Sequence, residues 1–338
     1  MIESTNKDAT IRTIAKLAGV SHTTVSRALN DSAAVKDETK QKIKAIADKL
    51  GYVPNLNAKG LANQHSYLIG VFFSNLEIGT SASFLAEVID EINKNIPPEY
   101  SVSINSIKDK DTIQVLQKFD GVLIVSQSAN DDYFIDQMVR RKLPLVVLNR
   151  KIERTDVVNL AADEYIGAKN ITEYAIRLGH TKFGFIKGLS GFASTDQRQN
   201  GFYDALSQHQ LGIDRDFVKE GDYLPKSGYA AMREILAGST RPTCVFCAND
   251  DMTIGAIRAC SDLGYRVPED ISIFGYDDMR YSKYLIPALT TVHKPTGVIA
   301  QRGIKLLTQM LANDTEVKPI QDVIEPTPIV RNSVQDLR

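Results

Sequence analysis

The chain has 338 residues, 43% of them hydrophobic, so it is long enough for more than one domain with a sizeable buried core. Its net charge of −1 is unevenly divided: residues 1–63 carry ten Lys and Arg against six Asp and Glu, a net of +4, and the remainder carries thirty against thirty-five, a net of −5. Only the N-terminal end therefore suits a polyanion, and its modest excess favours the pairing of two such ends.

The sequence predicts a cytoplasmic protein with no membrane contact. No run of about eighteen apolar residues occurs, and the polar start M-I-E-S-T-N-K-D lacks the order of a signal peptide. Cys244 and Cys247 form a C-x-x-C, but the run T-C-V-F-C-A predicts a strand on which these two residues point to opposite faces. We therefore expect small buried strand residues rather than a disulfide or a zinc site, and neither a metal nor a cofactor is predicted.

The segment from Thr10 to Asn30 predicts two short helices joined by a turn at Gly19. The first helix has apolar residues at the spacing of one buried face: Ile11, Ile14, Ala15 and Ala18. Ser21 is a candidate N-cap of the second helix, which buries Val25, Ala28 and Leu29. Its opposite side is polar and consists of His22, Thr23, Ser26, Arg27 and Asn30. This pattern is typical of a helix-turn-helix that contacts base edges and phosphates, although an ordinary amphipathic hairpin has the same periodicity.

The segments after the hairpin favour DNA binding. A third helix is expected from Asp37 to Leu50, and then comes G-Y-V-P-N-L-N-A-K-G-L-A-N-Q from Gly51 to Gln64. With these segments the chain resembles the lactose/galactose repressor (LacI/GalR) family of bacterial transcription regulators, and the resemblance runs through nearly the whole chain. It implies a headpiece at 9–53, a hinge helix and linker at 54–65, and an effector-binding and dimerisation core at 66–332.

The resemblance also implies which residues contact DNA. We expect His22 and Thr23 to reach base edges in the major groove, and their neighbours to position the helix or contact phosphates. The full set of predicted contacts is Thr10, Ser21, His22, Thr23, Thr24, Ser26, Arg27, Asn30, Asn55, Ala58, Lys59 and Leu61. In the family, two hinge segments fold against each other in the minor groove and insert a leucine between base pairs, and Leu61 matches that wedge. The alternative is a flexible linker, since two turns containing Gly60 are not stable alone.

From Tyr67 onward, apolar runs alternate with helical patterns, which predicts a parallel, doubly wound α/β fold. Ligands bind such sheets at the carboxyl ends of strands. Polar residues follow predicted strands at Ser74, Asn149, Asn249 and Asp277. An enzyme is the competing interpretation, but the sequence has no glycine-rich phosphate loop, nucleophile elbow or histidine–carboxylate cluster.

Three further segments carry the family resemblance: A-N-D-D-M-T-I-G-A, V-P-E-D-I-S-I-F-G-Y-D-D and L-T-T-V. They imply a core like that of periplasmic sugar-binding proteins, in which the chain crosses between two lobes three times. The expected lobes are 66–160 plus 292–322 for lobe one, and 161–291 plus 323–332 for lobe two.

The same resemblance implies the effector-binding residues. Arg198 matches an arginine that grips ligand hydroxyls, Asn249 and Asp277 match its amide and carboxylate partners, and Tyr223 matches an aromatic residue that packs on the ligand. Ser74 and Asn149 match weaker polar positions. A sugar or sugar derivative is therefore expected, with its identity left open. The alternatives are a structural Arg198–Asp277 salt bridge and ordinary core packing of Tyr223.

The resemblance implies a repressor whose effector binds between the lobes and weakens binding to a pseudo-palindromic double-stranded DNA operator. A homodimer is expected, because only Val334 to Arg338 follow the strand-like I-V-R-N-S segment and leave no room for a tetramerisation helix. A regulator of the same fold that responds to a phosphorylated carrier protein is one alternative. A solute-binding protein is another, opposed by the headpiece and by the start of the chain.

Overall fold

The computed structural model describes residues 10–29, 31–52, 65–77, 79–108, 118–312 and 317–338. The chain divides into two compact units, Met1–Ser66 and Tyr67–Arg338. We call the first unit the headpiece and the second the core, and describe each by itself. In the described residues, no helix has both the length and the apolar character needed to cross a membrane.

The headpiece consists, in its described part, of α1 (Ile11–Ala18), α2 (His22–Leu29) and α3 (Asp37–Lys49). Thr10 caps α1, since its hydroxyl accepts a hydrogen bond from the Thr13 backbone N–H at 3.2 Å. Gly19 ends α1 with a φ of 72°, a left-handed conformation that glycine adopts without a Cβ penalty. The Ser21 hydroxyl accepts from the Thr24 N–H at 3.1 Å. The predicted helix-turn-helix is therefore present with its caps.

The three helices bury one small apolar cluster. Its fully or nearly fully buried members are Ile14, Ala15, Ala18, Val25, Ala28, Val35, Ile43 and Ala47. These are the faces that the periodicity predicts, because residues three and four apart lie on one side of a helix. Lys42 of α3 also donates a hydrogen bond to the Ala18 carbonyl of α1 at 3.1 Å. The polar side of α2 is thereby left facing solvent.

The core alternates strands and helices. In chain order the elements are β1 (Leu68–Phe73), α4 (Ala82–Asn95), β2 (Ser101–Ser106), β3 (Gly121–Val125), α5 (Asp132–Arg140), β4 (Leu145–Asn149), β5 (Val158–Ala162), α6 (Glu164–Arg177), β6 (Phe183–Lys187), α7 (Ala193–Gln208), β7 (Val218–Glu220), α8 (Pro225–Leu236), β8 (Cys244–Cys247), α9 (Asp250–Asp262), β9 (Ser272–Phe274), β10 (Thr291–His293), α10 (Thr296–Leu311), β11 (Gln321–Ile324) and β12 (Thr327–Ile329).

Two parallel sheets define two lobes. The sheet of lobe one has the order β11-β5-β4-β3-β1-β2, and the sheet of lobe two has the order β7-β6-β8-β9. A short antiparallel pair, β10 and β12, adjoins β9 through bridges from Phe274 to Thr290 and from Asp277 to His293. Central strands such as β3 and β8 are buried along their whole length, as expected for parallel strands covered on both faces. The predicted doubly wound architecture is confirmed.

The chain crosses between the lobes two or three residues later than the sequence suggested. Strand β5 stays in the first sheet as far as Ala162, and β11 stays there as far as Ile324. The crossings therefore lie near Asp163, at Lys294–Pro295 and after Ile324, instead of after 160, 291 and 322. Strand β5 continues because its residues through Ala162 are buried and remain paired with neighbouring strands.

Cys244 and Cys247 are small buried strand residues, as predicted. Cys244 and Cys247 are buried at the two ends of β8, and Cys260 is buried on α9. All three are free thiols. Burial raises the pKa of the Cys260 thiol to about 12, which keeps it protonated and unreactive at neutral pH.

Candidate functional site

The headpiece presents its polar residues on the outside of α2. Ser21, His22, Thr23 and Arg27 are exposed, and Thr24 and Ser26 are half-buried. The side chains of His22, Thr23 and Arg27 make no hydrogen bond to other described residues and so keep their donors and acceptors available. Thr10 and Ser21 also serve as capping residues, since their hydroxyls accept from the Thr13 and Thr24 N–H groups. The Ser21 and Thr24 hydroxyls lie 2.9 Å apart. Five predicted contacts, Asn30, Asn55, Ala58, Lys59 and Leu61, lie outside the described residues.

In the core, five of the six predicted effector residues line one cleft between the lobes. Asn149 ends β4, Tyr223 follows β7, Asn249 follows β8, Asp277 follows β9, and Arg198 lies on α7. We call this space the interlobe cleft. It measures about 350 Å³ with its solvent opening, and its described lining also includes Gly79, Ser81, Phe84, Gln127, Phe192, Ser194 and Lys294. The strand ends thus bring together residues that are up to 128 positions apart in the chain.

Ser74 is not part of this cleft, which corrects the sequence prediction. Its hydroxyl donates to the buried carboxylate of Asp131 and accepts from the Gln127 N–H at 2.7 Å. Asp131 also accepts from the Ser126 hydroxyl at 2.8 Å. Ser74 does follow a strand as predicted, but its hydroxyl is hydrogen-bonded to Asp131, and both residues line a neighbouring cavity.

Three cleft residues hold left-handed backbone conformations. The φ angle is 77° at Asn149, 69° at Tyr223 and 104° at Asp277. Such conformations are strained for residues other than glycine and persist where surrounding bonds enforce them. The Asn249 side chain donates to the Tyr223 carbonyl at 3.1 Å, and the Asp277 N–H donates to the Val292 carbonyl at 2.9 Å. Strained backbone of this kind is frequent at functional sites, although other left-handed residues, such as Lys142 and Gln210, lie outside the cleft lining.

Arg198 is the centre of a buried ionic network. Its Nε donates to Glu164 at 2.8 Å, its Nη2 donates to Asp277 at 2.8 Å, and its Nη1 donates to the Ala248 carbonyl. The guanidinium also stacks 3.8 Å from the ring centroid of Tyr276. The Arg198–Asp277 salt bridge considered as an alternative is thus present, although both residues also line the cleft.

The pKa values in this network follow from burial and pairing. Burial raises the pKa of Glu164, but Arg198 and Lys294 outweigh it and lower the value to about 2. For Asp277, burial is the dominant effect and raises the pKa, although Arg198 and Lys294 oppose it. Glu164 therefore stays ionised and holds the two cations in place.

Lys294 is the main functional candidate that sequence reasoning missed. It lies on the second crossing, is only 4% exposed, and its Nζ lies 2.7 Å from both Glu164 Oε1 and Asn149 Oδ1. It also lies 5.1 Å from the ring centroid of Phe84. A lysine between the end of β10 and Pro295, at a crossing between lobes, was the signal available in the sequence.

Tyr223 is held by polar and aromatic neighbours. Its hydroxyl lies 2.6 Å from Thr195 Oγ1 and 3.0 Å from Ser194 Oγ, and its ring stacks on Phe192 with centroids 6.1 Å apart. Tyr223 is 6% exposed, so it packs in the core of lobe two as well as lining the cleft. The two interpretations offered by the sequence therefore coexist.

Direct contacts join the two lobes beside the cleft. Ser83 on α4 donates to Asp251 at 3.2 Å, and Arg280 pairs with Asp90 of α4 at 2.5 Å. The Ala193 N–H donates to the Gln127 carbonyl at 2.9 Å. Glu87 lies on α4 between Ser83 and Asp90, and burial together with Asp277 raises its pKa to about 7. These contacts hold the two lobes together at the edge of the cleft.

Asp250, at the start of α9, secures the loop that carries Asp277. Its buried carboxyl accepts from the Met279 N–H at 2.9 Å and from the hydroxyls of Ser282 and Thr291 at 2.6 Å each. Its backbone N–H donates to the Tyr276 carbonyl at 2.8 Å. Burial raises the pKa of Asp250 to about 8, with these hydrogen bonds opposing it. Asp250 therefore fixes the chain on both sides of Asp277.

A capped helix-turn-helix followed by a two-lobed parallel core with a polar cleft defines the class of DNA-binding regulators with a periplasmic-binding-protein-like core. Family comparisons agree. Residues 10–55 match the model of bacterial regulatory proteins of the lacI family, and residues 172–334 match a periplasmic binding protein-like domain.

Full-length relatives give the particular family. The chain is 42% identical to the probable HTH-type transcriptional repressor ExuR of Bacillus subtilis (strain 168), over 97% of this chain and 99% of that protein. It is 34% identical to the HTH-type transcriptional repressor PurR of Pectobacterium carotovorum, over 97% of both chains. The chain belongs to the LacI family and is a transcriptional repressor.

Solved structures agree with this assignment. The lac repressor dimer bound to operator and the anti-inducer ONPF matches with a TM-score of 0.80 and 26% identity, over 96% of this chain and 99% of that one. The complex of the transcriptional regulator CelR with cellobiose matches with a TM-score of 0.68 and 27% identity, with the same coverage.

Proposed function

We propose that this repressor binds a sugar or sugar derivative in the interlobe cleft and that the ligand weakens operator binding. The observation that carries the proposal is the convergence of Arg198, Asp277 and Asn249 on one buried cleft beside the ring of Tyr223. A guanidinium and a carboxylate can each bind neighbouring hydroxyls, and an aromatic face can cover the C–H surface of a sugar. The CelR structure, a relative in complex with cellobiose, supports this ligand class.

Release of DNA results if the ligand prefers one arrangement of the lobes. Arg198, Glu164 and Asp277 connect α7 and the first crossing to the loop after β9. A ligand that binds these groups changes the relative free energy of lobe arrangements only by its differential affinity for them. We infer that the arrangement favoured by the ligand separates the two hinge segments of a homodimer and so lowers the affinity for DNA.

For DNA binding, we propose that His22 and Thr23 contact base edges and that Arg27 contacts phosphates or bases nearby. Their exposure on the outer side of α2 supports this assignment. A homodimer with one headpiece per half-site suits a pseudo-palindromic operator, and the lac repressor relative was solved as a dimer on its operator.

The hinge role of Leu61 is part of the proposal. Leu61→Ala removes an apolar wedge but keeps the phosphate contacts, so it should reduce DNA bending and specific affinity while non-specific binding changes little. Gel mobility of circularly permuted operator fragments measures the bend angle. An unchanged bend angle rules out the wedge.

The effector hypothesis is tested by titrating the operator against the repressor with and without a panel of sugars, alongside calorimetry for direct binding. We expect at least one compound both to bind and to raise the operator Kd tenfold or more. A compound that binds and tightens operator binding would reverse the proposed direction. If a phosphorylated carrier protein alters operator binding while every small molecule fails, control by the cleft is wrong.

A further inference from the structure

We propose that contacts between α4 and lobe two set the balance between two arrangements of the lobes before any ligand binds. In the closed arrangement α4 contacts lobe two, as described above, and in an open arrangement it does not. The ion pair of Arg280 with Asp90 favours the closed arrangement, and the buried carboxylate of Asp251 opposes it. This balance concerns the chain without a ligand, so it goes beyond the proposed function and does not depend on which effector binds.

Helix α4 contacts the two lobes with different faces. Ser83 and Asp90 are seven residues, or about two helical turns, apart and therefore lie on one side of the helix. Both bond to lobe two, Ser83 to Asp251 at 3.2 Å and Asp90 to Arg280 at 2.5 Å. The residues that fix α4 in the core of lobe one recur every four positions and are Phe84, Val88 and Ile92. Because α4 belongs rigidly to lobe one, opening of the lobes has to break the two bonds to lobe two.

Arg280 has an ion-pair partner only in the other lobe. It lies on the loop after β9, and Asp90 is the single carboxylate with which it pairs among the described residues. Asp90 also pairs with Lys94 of its own helix at 2.9 Å, so it keeps a cation when the lobes separate. The side chains of Arg280 and Asp90 are 75% and 39% exposed, and such exposed pairs change an equilibrium by up to about fivefold. The pair therefore favours closure by a small factor.

Asp251 is a buried carboxylate without a cation. It lies in the first turn of α9 and is 8% exposed, and no Lys, Arg or His of the described residues forms an ion pair with it. Its Oδ1 accepts from the hydroxyl of Ser83 at 3.2 Å and from that of Tyr281 at 2.9 Å. The start of α9 stabilises this charge in either arrangement. Removal of Ser83 lets water reach the carboxylate, so the charge of Asp251 favours opening.

The opposed contributions make the balance easy to shift. A ligand changes the populations of two arrangements only by the ratio of its affinities for them. A chain held firmly closed or firmly open would need a large ratio, whereas a chain near balance responds to a modest one. The ion pair and the carboxylate on the same side of α4 therefore act as a built-in adjustment of effector sensitivity.

A distance measured between the lobes tests the proposal without any ligand. Spin labels on Tyr133→Cys in lobe one and Lys226→Cys in lobe two occupy exposed positions, and all three native thiols are buried. Labelled chains are mixed with an excess of unlabelled chains, so that pulsed EPR reports distances within one chain. The closed arrangement gives one distance, and any other arrangement of the lobes gives another.

Arg280→Gln should lower the ratio of closed to open chains by about two- to fivefold. Asp90→Asn should act in the same direction, and the double variant should add little to either single change, because both remove one interaction. Arg266→Gln is the matched control, since Arg266 forms an equally exposed ion pair with Asp270 inside lobe two. An unchanged distance distribution in Arg280→Gln, or an equal change in Arg266→Gln, overturns the role of the ion pair.

Asp251→Asn should shift the distribution in the opposite direction. Asparagine keeps an oxygen that accepts from Ser83 and Tyr281 but carries no charge, so the closed arrangement should gain population. Asp262→Asn is the control on the same helix, because Asp262 pairs with Arg258 at the surface. Thermal melts verify that each variant folds. If Asp251→Asn lowers the closed population as Arg280→Gln does, the carboxylate holds the lobes together and its opposing role is wrong.

Operator titrations without a ligand separate this balance from the proposed function. A ligand held by residues of both lobes favours the closed arrangement, which under the proposed function has the lower affinity for DNA. Arg280→Gln should then tighten operator binding and Asp251→Asn should weaken it. If the distances shift as expected and operator affinity does not, the balance stands and the release mechanism fails. If no variant shifts the distances, the balance is wrong whatever the operator affinities are.

Discussion

The polar residues of the headpiece and of the interlobe cleft differ in exposure and in bonding. On α2 the polar side chains of His22, Thr23 and Arg27 are in water and free of intramolecular bonds to the described residues. In the cleft, Arg198, Asp277 and Lys294 are each less than 10% exposed and already bound to one another or to Glu164. Burying a charge is costly unless it is paired, whereas an exposed polar side chain needs no partner.

Because of this difference, substitutions in the cleft should affect both stability and ligand binding, whereas substitutions on α2 should not affect stability. Under the proposed assignment, removing an exposed side chain of α2 takes away a contact with DNA and little else. Removing a cleft residue leaves its buried partners uncompensated, so stability changes together with ligand binding. Variants in the two regions should therefore differ in kind as well as in size.

The largest effect is expected for Arg198→Ala. The substitution leaves Glu164 and Asp277 buried without their common cation, so the free energy of unfolding of the core should fall by about 3–5 kcal/mol and effector binding should be lost. Urea unfolding and calorimetry measure the two losses. Lys187→Ala, which breaks an ion pair nearer the surface, should cost less than about 1 kcal/mol. An Arg198→Ala variant as stable as the parent would remove the contrast with the headpiece.

The double substitution His22→Ala, Thr23→Ala should leave stability unchanged and alter which operator is preferred. Each lost base contact is worth about 1–3 kcal/mol of discrimination. Selection from random DNA reports the preferred sequence, and a thermal melt reports stability. If the double variant selects the same consensus as the parent, these residues do not read bases. Arg27→Ala is the comparison, since loss of a phosphate contact should weaken all sequences alike.

Glu87→Gln should remove a pH dependence of stability. Because the pKa of Glu87 rises from 4.5 to about 7 on folding, the folded state holds a proton that the unfolded state has lost between these values. Stability should therefore fall as pH rises from 4.5 to 7, by about 2 kcal/mol once solvent screening at the lobe boundary is allowed for.

Unfolding of the parent and of Glu87→Gln at pH 5 and pH 8 measures this effect, and the variant should be the more stable of the two at pH 8. Glu91→Gln is the control, because Glu91 pairs with Lys94 at 2.8 Å on the same helix. A parent and a Glu87→Gln variant with parallel pH profiles would mean that Glu87 is ionised in the folded protein at all these pH values.

The smallest effect is expected for Ser21→Ala. Loss of the N-cap bond to the Thr24 N–H should destabilise α2 by about 1 kcal/mol. Ser21→Asp keeps an acceptor at the cap and should retain most of the stability. Hydrogen exchange of the Thr24 amide is the most direct measurement, and unchanged exchange in Ser21→Ala would show that the cap is not needed.

The two regions also differ in how far the sequence predicts them. Ala18, Gly19, Ser21 and Val25 lie within eight residues, so helical periodicity, turn and cap can all be read locally. In the core, position at a strand end correctly indicated Asn149, Asn249 and Asp277 as lining residues. These positions follow from the rule that carboxyl ends of parallel strands share one edge of a sheet.

Long-range partners limit the same reasoning. Ser74 also follows a strand, but Asp131, 57 residues away, binds its hydroxyl. Lys294 enters the cleft because the chain crosses there between lobes, and its partners Glu164 and Asn149 lie 130 and 145 residues earlier. Periodicity carries no information about such pairs. A local pattern therefore indicates a candidate residue but not the residue with which its side chain pairs.

The left-handed backbone at Asn149, Tyr223 and Asp277 limits which substitutions the proposed ligand cleft can accept. Valine or isoleucine at these positions would clash with its own main chain, and Asn and Asp tolerate the conformation best. Ser81, Gln127 and Ser194 have no such backbone constraint, and none of them carries a charge. A library that diversifies these three positions, and leaves the left-handed ones alone, should yield many more folded variants with altered ligand binding in the cleft than the reverse design.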